Sequence, residues 1–242
     1  MPTGFKLSTP EDIERFYKEQ EANFPGALYG KRRDMPRDLV AHFDASLATG
    51  SEEAMQKLIT RYPYLLQYAI RTTGHHGTWA YPKRWIRTNQ VTGTPGLIPD
   101  YIAAMQNSLG YSWQIIELKR PDVQFANRKG DGLSTEGHKA IAQCGEYVSH
   151  FADYIENVRT NVGDQRIRQP DGVTIIIGDS RHETDSQRRV RANFQALAPN
   201  IAIATYDRLR RGLVNDIGPR ELQPVYPGAQ VAQFLGGDTP TG

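Results

Sequence analysis

The sequence predicts an α/β sandwich, with a central mixed β-sheet flanked by helices. Three observations carry that prediction. A helical N-terminal part is followed by three antiparallel-looking apolar strands. One long helix with an apolar stripe comes next, and the chain then alternates strand, helix, strand, helix. Strands gathered first and then interleaved with helices give a layered α/β domain rather than a bundle or an all-β sandwich.

Taken in order, Thr9 is a candidate N-cap, and Pro10 suits the first helical position. Glu11 and Asp12 complement the dipole, and Ile13, Phe16 and Tyr17 form the apolar stripe. A second helix is expected from near Asp34 or Pro36, with Leu39, Val40, Phe43 and Leu47 on one face and Gly50 ending it. A third opens at Ser51, buries Met55, Leu58, Ile59 and Tyr62, and stops before Pro63. Residues 84–91 read as the first strand, closed by the breaker-rich run 92–96. Two strands lie within 97–121, joined by a turn around Asn107 and Gly110.

A polar loop, 127–134, holds Lys129 and reads as mobile, beside the site and placed to touch substrate. The strongest helix spans 135–159, because Ile141, Cys144, Val148, Phe151, Ile155 and Val158 alternate steps of three and four. Gln143 and Tyr147 fall four apart on its flank. A buried strand follows at 172–178, a basic helix at 185–197, a strand at 201–205 and a last helix at 207–214. Beyond Gly218 the tail is rich in Pro and Gly and reads as irregular.

The chemistry concentrates in 97–121. Trp113, Ile115, Ile116 and Leu118 make a sheet-interior run, yet Glu117 and Lys119 sit inside it. Residues two apart on a strand share a face, so carboxylate and ammonium lie side by side. Charges taken from water need a partner or a metal. Asp100, after Pro99, adds a second carboxylate on the preceding segment. Asp100, Glu117 and the backbone carbonyl of Leu118 form an oxygen set suited to Mg²⁺ or Mn²⁺, with Lys119 as a cationic helper. The competing reading makes Glu117 and Lys119 a structural ion pair and Asp100 a turn cap. Adjacent His75 and His76 invite a metal reading, but no third ligand is spaced nearby, so a His-based site is not expected.

Composition sets limits. The chain has 242 residues, a net charge of +2 and 38% apolar content, which fits one soluble core. No apolar run is long enough to span a membrane and no secretory signal is evident, so a cytoplasmic location is expected. Cys144 is the only cysteine, which excludes an internal disulfide. Basic clusters at 31–33, 83–87, 188–191 and 208–211 read either as phosphate contacts or as solvated helix faces.

Pro99-Asp100 followed by Glu117-Leu118-Lys119 resembles the PD-(D/E)xK signature of restriction-endonuclease-like nucleases. Gln143 and Tyr147 add the Q-x3-Y spacing seen in some of them. The wider chain, from 51 to about 213, resembles the nuclease domain of the Shedu anti-phage defence family (DUF4263). The matching pieces are Glu53 with Gln56-Lys57-Leu58, 62–66, IPDYIA, IIELKRP, VTIIIGD and IATYDRL.

The resemblance implies a restriction-endonuclease-like sandwich and a metal-dependent DNA endonuclease or nickase acting in prokaryotic defence. Its partners would be phage or plasmid DNA and further copies of the chain, with no membrane. The domains expected are a helical extension at 1–50, a nuclease domain at 51–215 and an irregular tail at 216–242. Asp100, Glu117, Lys119 and Gln143 are the expected catalytic set. By resemblance Glu53 joins Asp100 and Glu117 at the metal. Arg120, Lys129 and Tyr147 are the expected substrate contacts. An inactive nuclease-like module that grips nucleic acid or a protein partner is the alternative, and an assembly domain using the N-terminal helices is a third reading.

Overall fold

The computed structural model describes residues 9–70, 77–86, 97–107 and 110–219. The runs at 92–96 and beyond 219, the pair His75 and His76, and most of the expected strand 84–91 lie outside them.

Helix α1 (Pro10–Ala22) starts where its signals place it, with the Thr9 hydroxyl accepting from the Asp12 N–H at 3.1 Å. Strand β1 (Leu28–Gly30) follows, then a 3₁₀ turn at Arg32–Asp34 and helix α2 (Leu39–Ala48). Helix α3 (Glu52–Arg61) is capped by Ser51, and Pro63 opens a buried 3₁₀ segment, Pro63–Tyr68. Strand β2 (Thr78–Pro82), strand β3 (Tyr101–Asn107) and strand β4 (Gly110–Leu118) form an antiparallel meander.

Helix α4 (Thr135–Val162) then crosses one face to strand β5 (Gly172–Ile176). Helix α5 (Asp185–Leu197) leads to strand β6 (Ile201–Ala204), and helix α6 (Tyr206–Ile217) closes the described chain. The six strands lie in sequence order, antiparallel from β1 to β4 and parallel from β4 to β6. That is the expected mixed sheet with flanking helices.

The meander differs from expectation at its first strand. Residues 78–82, not 84–91, pair with β3, and within the later run Ile86 makes a single bridge to Leu97. Thr78–Pro82 lacks a polar-apolar alternation because both its faces are covered, so Trp79, Ala80 and Tyr81 are all fully buried. β1 pairs with β2, so the N-terminal fifty residues contribute a strand to the sheet as well as helices.

Alternation along the strands builds two cores. Ile116 and Leu118 of β4, with Tyr101, Ala103 and Met105 of β3, face α2, α3 and α6. Trp113 and Ile115, with Ile102 and Ala104, face the apolar stripe of α4. Burying each Ile, Leu or Met side chain among these stabilises the fold by about 1.5–3 kcal/mol.

Two connections fix the strand ends. Gly163, at φ 83°, ends α4 in the left-handed conformation that glycine adopts freely. The loop expected to be mobile is instead tied down. Asn127 accepts from the Gly130 N–H and bonds the Gly132 carbonyl, Ser134 donates to the Gln124 carbonyl, and Gln187 of α5 donates to the Asn127 carbonyl at 3.0 Å.

Candidate active site

The β3–β4 register pairs Tyr101 with Ile116, and one step further brings Asp100 opposite Glu117. Both side chains point to the α4 side of the sheet, as Ile102 and Ile115 do. Asp100 and Glu117 are 1% and 4% exposed, so both carboxylates are nearly shut off from water. Asp100 Oδ2 accepts from the Leu118 N–H at 2.6 Å, which locks the end of the hairpin. Asp100 Oδ1 pairs with the Lys83 ammonium.

Glu117 belongs to a closed ring of hydrogen bonds. Lys119 Nζ donates to Glu117 Oε1 at 2.8 Å and to Gln143 Oε1 at 3.0 Å. Gln143 Nε2 donates to the Tyr147 hydroxyl at 2.5 Å, and that hydroxyl lies 3.1 Å from both Glu117 Oε2 and the Ile98 carbonyl. The four-residue spacing of Gln143 and Tyr147 places them one above the other on α4, which is what lets them act in series.

The electrostatics follow from burial. Desolvation, and then the charge of Asp100, pushes the Glu117 carboxyl up to about 7. Burial opposes the charge on Lys119, but Glu117 beside it outweighs that and holds the amine above its ordinary value. Lys119 is therefore an ammonium at neutral pH. Glu52, in the first turn of α3, is raised by its half-burial and then by Asp100, with Lys119 and Lys83 pulling the other way.

The sequence-predicted residues divide into two groups. Asp100, Glu117, Lys119, Gln143 and Tyr147 are brought together. Tyr147, expected at the substrate, is wholly buried with its hydroxyl on Glu117. Glu53, expected at the metal, is 74% exposed and pairs with Lys57 at 2.7 Å on the outer face of α3. Its neighbour Glu52 is the one turned inward.

Arg120 is at the rim, exposed and paired with Asp122, and Lys129 is exposed in its loop. Sequence reasoning missed Glu52 and Lys83. Two glutamates in one first turn give no rule for choosing between them, and Lys83 could only be placed once β2 was known.

Oxygen donors of this kind suit a hard divalent cation. Among the described residues no cluster of three or more His, Cys, Asp or Glu side chains is arranged to hold a metal. A Mg²⁺ ion is commonly held by one or two carboxylates and keeps several waters, so two carboxylates do fit it. Leu118 supplies a third oxygen: its N–H faces Asp100, and a residue's N–H and C=O leave a strand on the same side.

Fold and site together define an α/β sandwich protein with two buried carboxylates, each paired with a lysine ammonium, at the ends of adjacent strands. Residues 49–210, more than half of the chain, match the family described as Shedu protein SduA, C-terminal, and the chain belongs to that family. Membership suggests anti-phage defence. No curated protein matches the chain. Among the described residues no helix is long and apolar enough to cross a membrane.

Proposed function

We propose that the chain is a metal-dependent deoxyribonuclease, an endonuclease or nickase that hydrolyses phosphodiester bonds of phage or plasmid DNA. The observation that carries this reading is the pair Asp100 and Glu117, both almost fully buried on adjacent strands, with the Lys119 ammonium on Glu117. Asp100, Glu117 and the Leu118 carbonyl would hold Mg²⁺ or Mn²⁺, and Glu52 would reach it from α3. Bound there, the ion supplies Lewis-acid activation of water and of the phosphate.

The chain's own residues do the rest. Lys119, already protonated, cannot accept a proton from water. It orients the attacking water and stabilises charge on the phosphoryl oxygens as the water oxygen bonds to phosphorus and the bond to the leaving oxygen breaks, the water's proton passing to solvent and the leaving oxygen taking one from solvent. Gln143 fixes the Lys119 ammonium, and Tyr147 fixes the Glu117 carboxylate, so both reacting partners meet groups that are already oriented. Arg120 and Lys129, both exposed, would contact flanking phosphates.

The test is incubation of the purified chain with supercoiled plasmid and Mg²⁺ or Mn²⁺. The wild type nicks or cuts, and Asp100→Ala, Glu117→Ala and Lys119→Ala each lose the activity. Variants that cut as well as wild type would show that the chemistry lies elsewhere. Salt-dependent DNA binding without metal, and without cleavage under any cation, would identify a binding module instead.

A further inference from the structure

Lys83 and Asp100 face one another just past the paired ends of β2 and β3. The Lys83 N–H donates to the Asp100 carbonyl at 2.9 Å, one step beyond the Pro82–Tyr101 pair. The Lys83 ammonium then folds back onto Oδ1 of the same aspartate. Asp100 Oδ2 is already held by the Leu118 N–H, so Oδ1 is the oxygen left for a cation, and Lys83 is on it.

The pair is asymmetric. The Asp100 side chain is 2% exposed and that of Lys83 is 50% exposed, so the ammonium can move to water while the carboxylate cannot. Lys83 also has a φ of 49°, the one non-glycine residue among those described in that region. A side chain is rarely held there unless its surroundings enforce it, and such positions cluster at functional sites.

We propose that Lys83 is a placeholder cation on Asp100, exchanged for the divalent ion on loading, and that the released ammonium contacts a phosphate of the bound DNA. The inference rests on the nuclease reading above. A buried carboxylate without a counter-charge is costly, so a metal-free chain gains from an internal cation at that oxygen. An ammonium and a divalent ion cannot crowd onto one oxygen, so each weakens the other's hold, and that coupling is reciprocal. Once displaced, Lys83 stays anchored beside the site by its backbone bond. It then sits at the rim, where a phosphate ligated below it brings further anionic oxygens.

The exchange predicts opposite signs for two ligands. Lys83→Met keeps the stem and removes the charge. Lys83→Gly removes the side chain at a φ that glycine adopts freely, so the turn is preserved. Mn²⁺ affinity of the full chain, measured by calorimetry without DNA, should rise about fivefold in both variants, the upper range for a half-exposed ion pair. DNA affinity in Ca²⁺, which takes oxygen ligands without serving as the Mg²⁺ or Mn²⁺ cofactor, should fall by about fivefold in both.

Unchanged or weaker Mn²⁺ binding in the two variants would overturn the exchange. Tighter Mn²⁺ binding with undiminished DNA affinity would overturn the phosphate contact. A wild-type chain that binds no Mn²⁺ at all would remove the metal reading itself, and the exchange with it.

Discussion

One helical step separates Glu52 from Glu53, and with it about 100° of rotation around α3. That rotation turns one carboxylate toward Asp100 and leaves the other beside Lys57 in water. Substituting them one at a time therefore separates position from charge. Glu52→Gln should lower Mg²⁺-dependent cleavage by about tenfold or more, the usual cost of losing a group that supports a metal. Glu53→Gln should stay within about twofold, since an exposed i,i+4 pair is worth only a few tenths of a kcal/mol. Initial rates on plasmid at matched metal concentration decide it, and the reverse order would restore Glu53 to the site. Tyr147→Phe tests the ring in the same way. It keeps the buried ring in place and removes the hydroxyl from Glu117 and Gln143. Cleavage should fall by about 10- to 100-fold, with a stability loss of only about 1 kcal/mol in urea titration. A fall in stability that accounts for the whole activity loss would reduce Tyr147 to packing.

At the scale of elements, the centre depends on how β5 is terminated. Gly178, just beyond β5, has a φ of 67°, and a Cβ there would lie 2.4 Å from the Val123 carbonyl oxygen. Its N–H bonds the Arg120 carbonyl and its C=O accepts from Tyr206 at 2.9 Å, while the Tyr206 hydroxyl holds the Lys119 carbonyl at 2.8 Å. Gly178→Ala should cost about 2 kcal/mol or more from the left-handed backbone and the clash, read as a lower denaturation midpoint. An unchanged midpoint would mean that the loop yields without cost.

The same elements show what the sequence made legible. Period-three-and-four spacing marked α4, and Thr9 and Ser51 sit at the helix starts observed. The β3–β4 hairpin was legible because Glu117 and Lys119 break an apolar run. β1 and β2 were not, since a three-residue strand carries no period and a strand buried on both faces has no alternation to read. The partners of Asp100 were hidden for the same reason: a side chain reaching from β2 is invisible until β2 is known to lie beside β3.

Across the whole molecule, charge is largely spent internally. Arg33 pairs with Glu14, Arg32 with Asp216, Arg188 with Asp185, Arg191 with Glu183, Arg210 with Asp44 and Arg211 with Asp207. The basic runs seen in the sequence are thus mostly the fold's own ion pairs. The two buried carboxylates are paired as well, Asp100 with Lys83 and Glu117 with Lys119, yet burial and the charge of Asp100 still push the Glu117 carboxyl up to about 7. A ligand held by Asp100, whose other oxygen ties β3 to β4 through the Leu118 N–H, binds only the folded chain and so stabilises it. Binding to the native state alone adds about 2.7 kcal/mol at a metal concentration one hundred times Kd. For a domain of this size that corresponds to a rise in Tm of about 5–10 °C. Saturating Mn²⁺ should produce such a rise in the wild type, EDTA should reverse it, and Asp100→Asn should abolish it while the variant still unfolds cooperatively. A wild type whose Tm is indifferent to Mn²⁺ would place the stabilising role of these carboxylates with Lys83 and Lys119 alone, and would leave the centre a set of structural ion pairs.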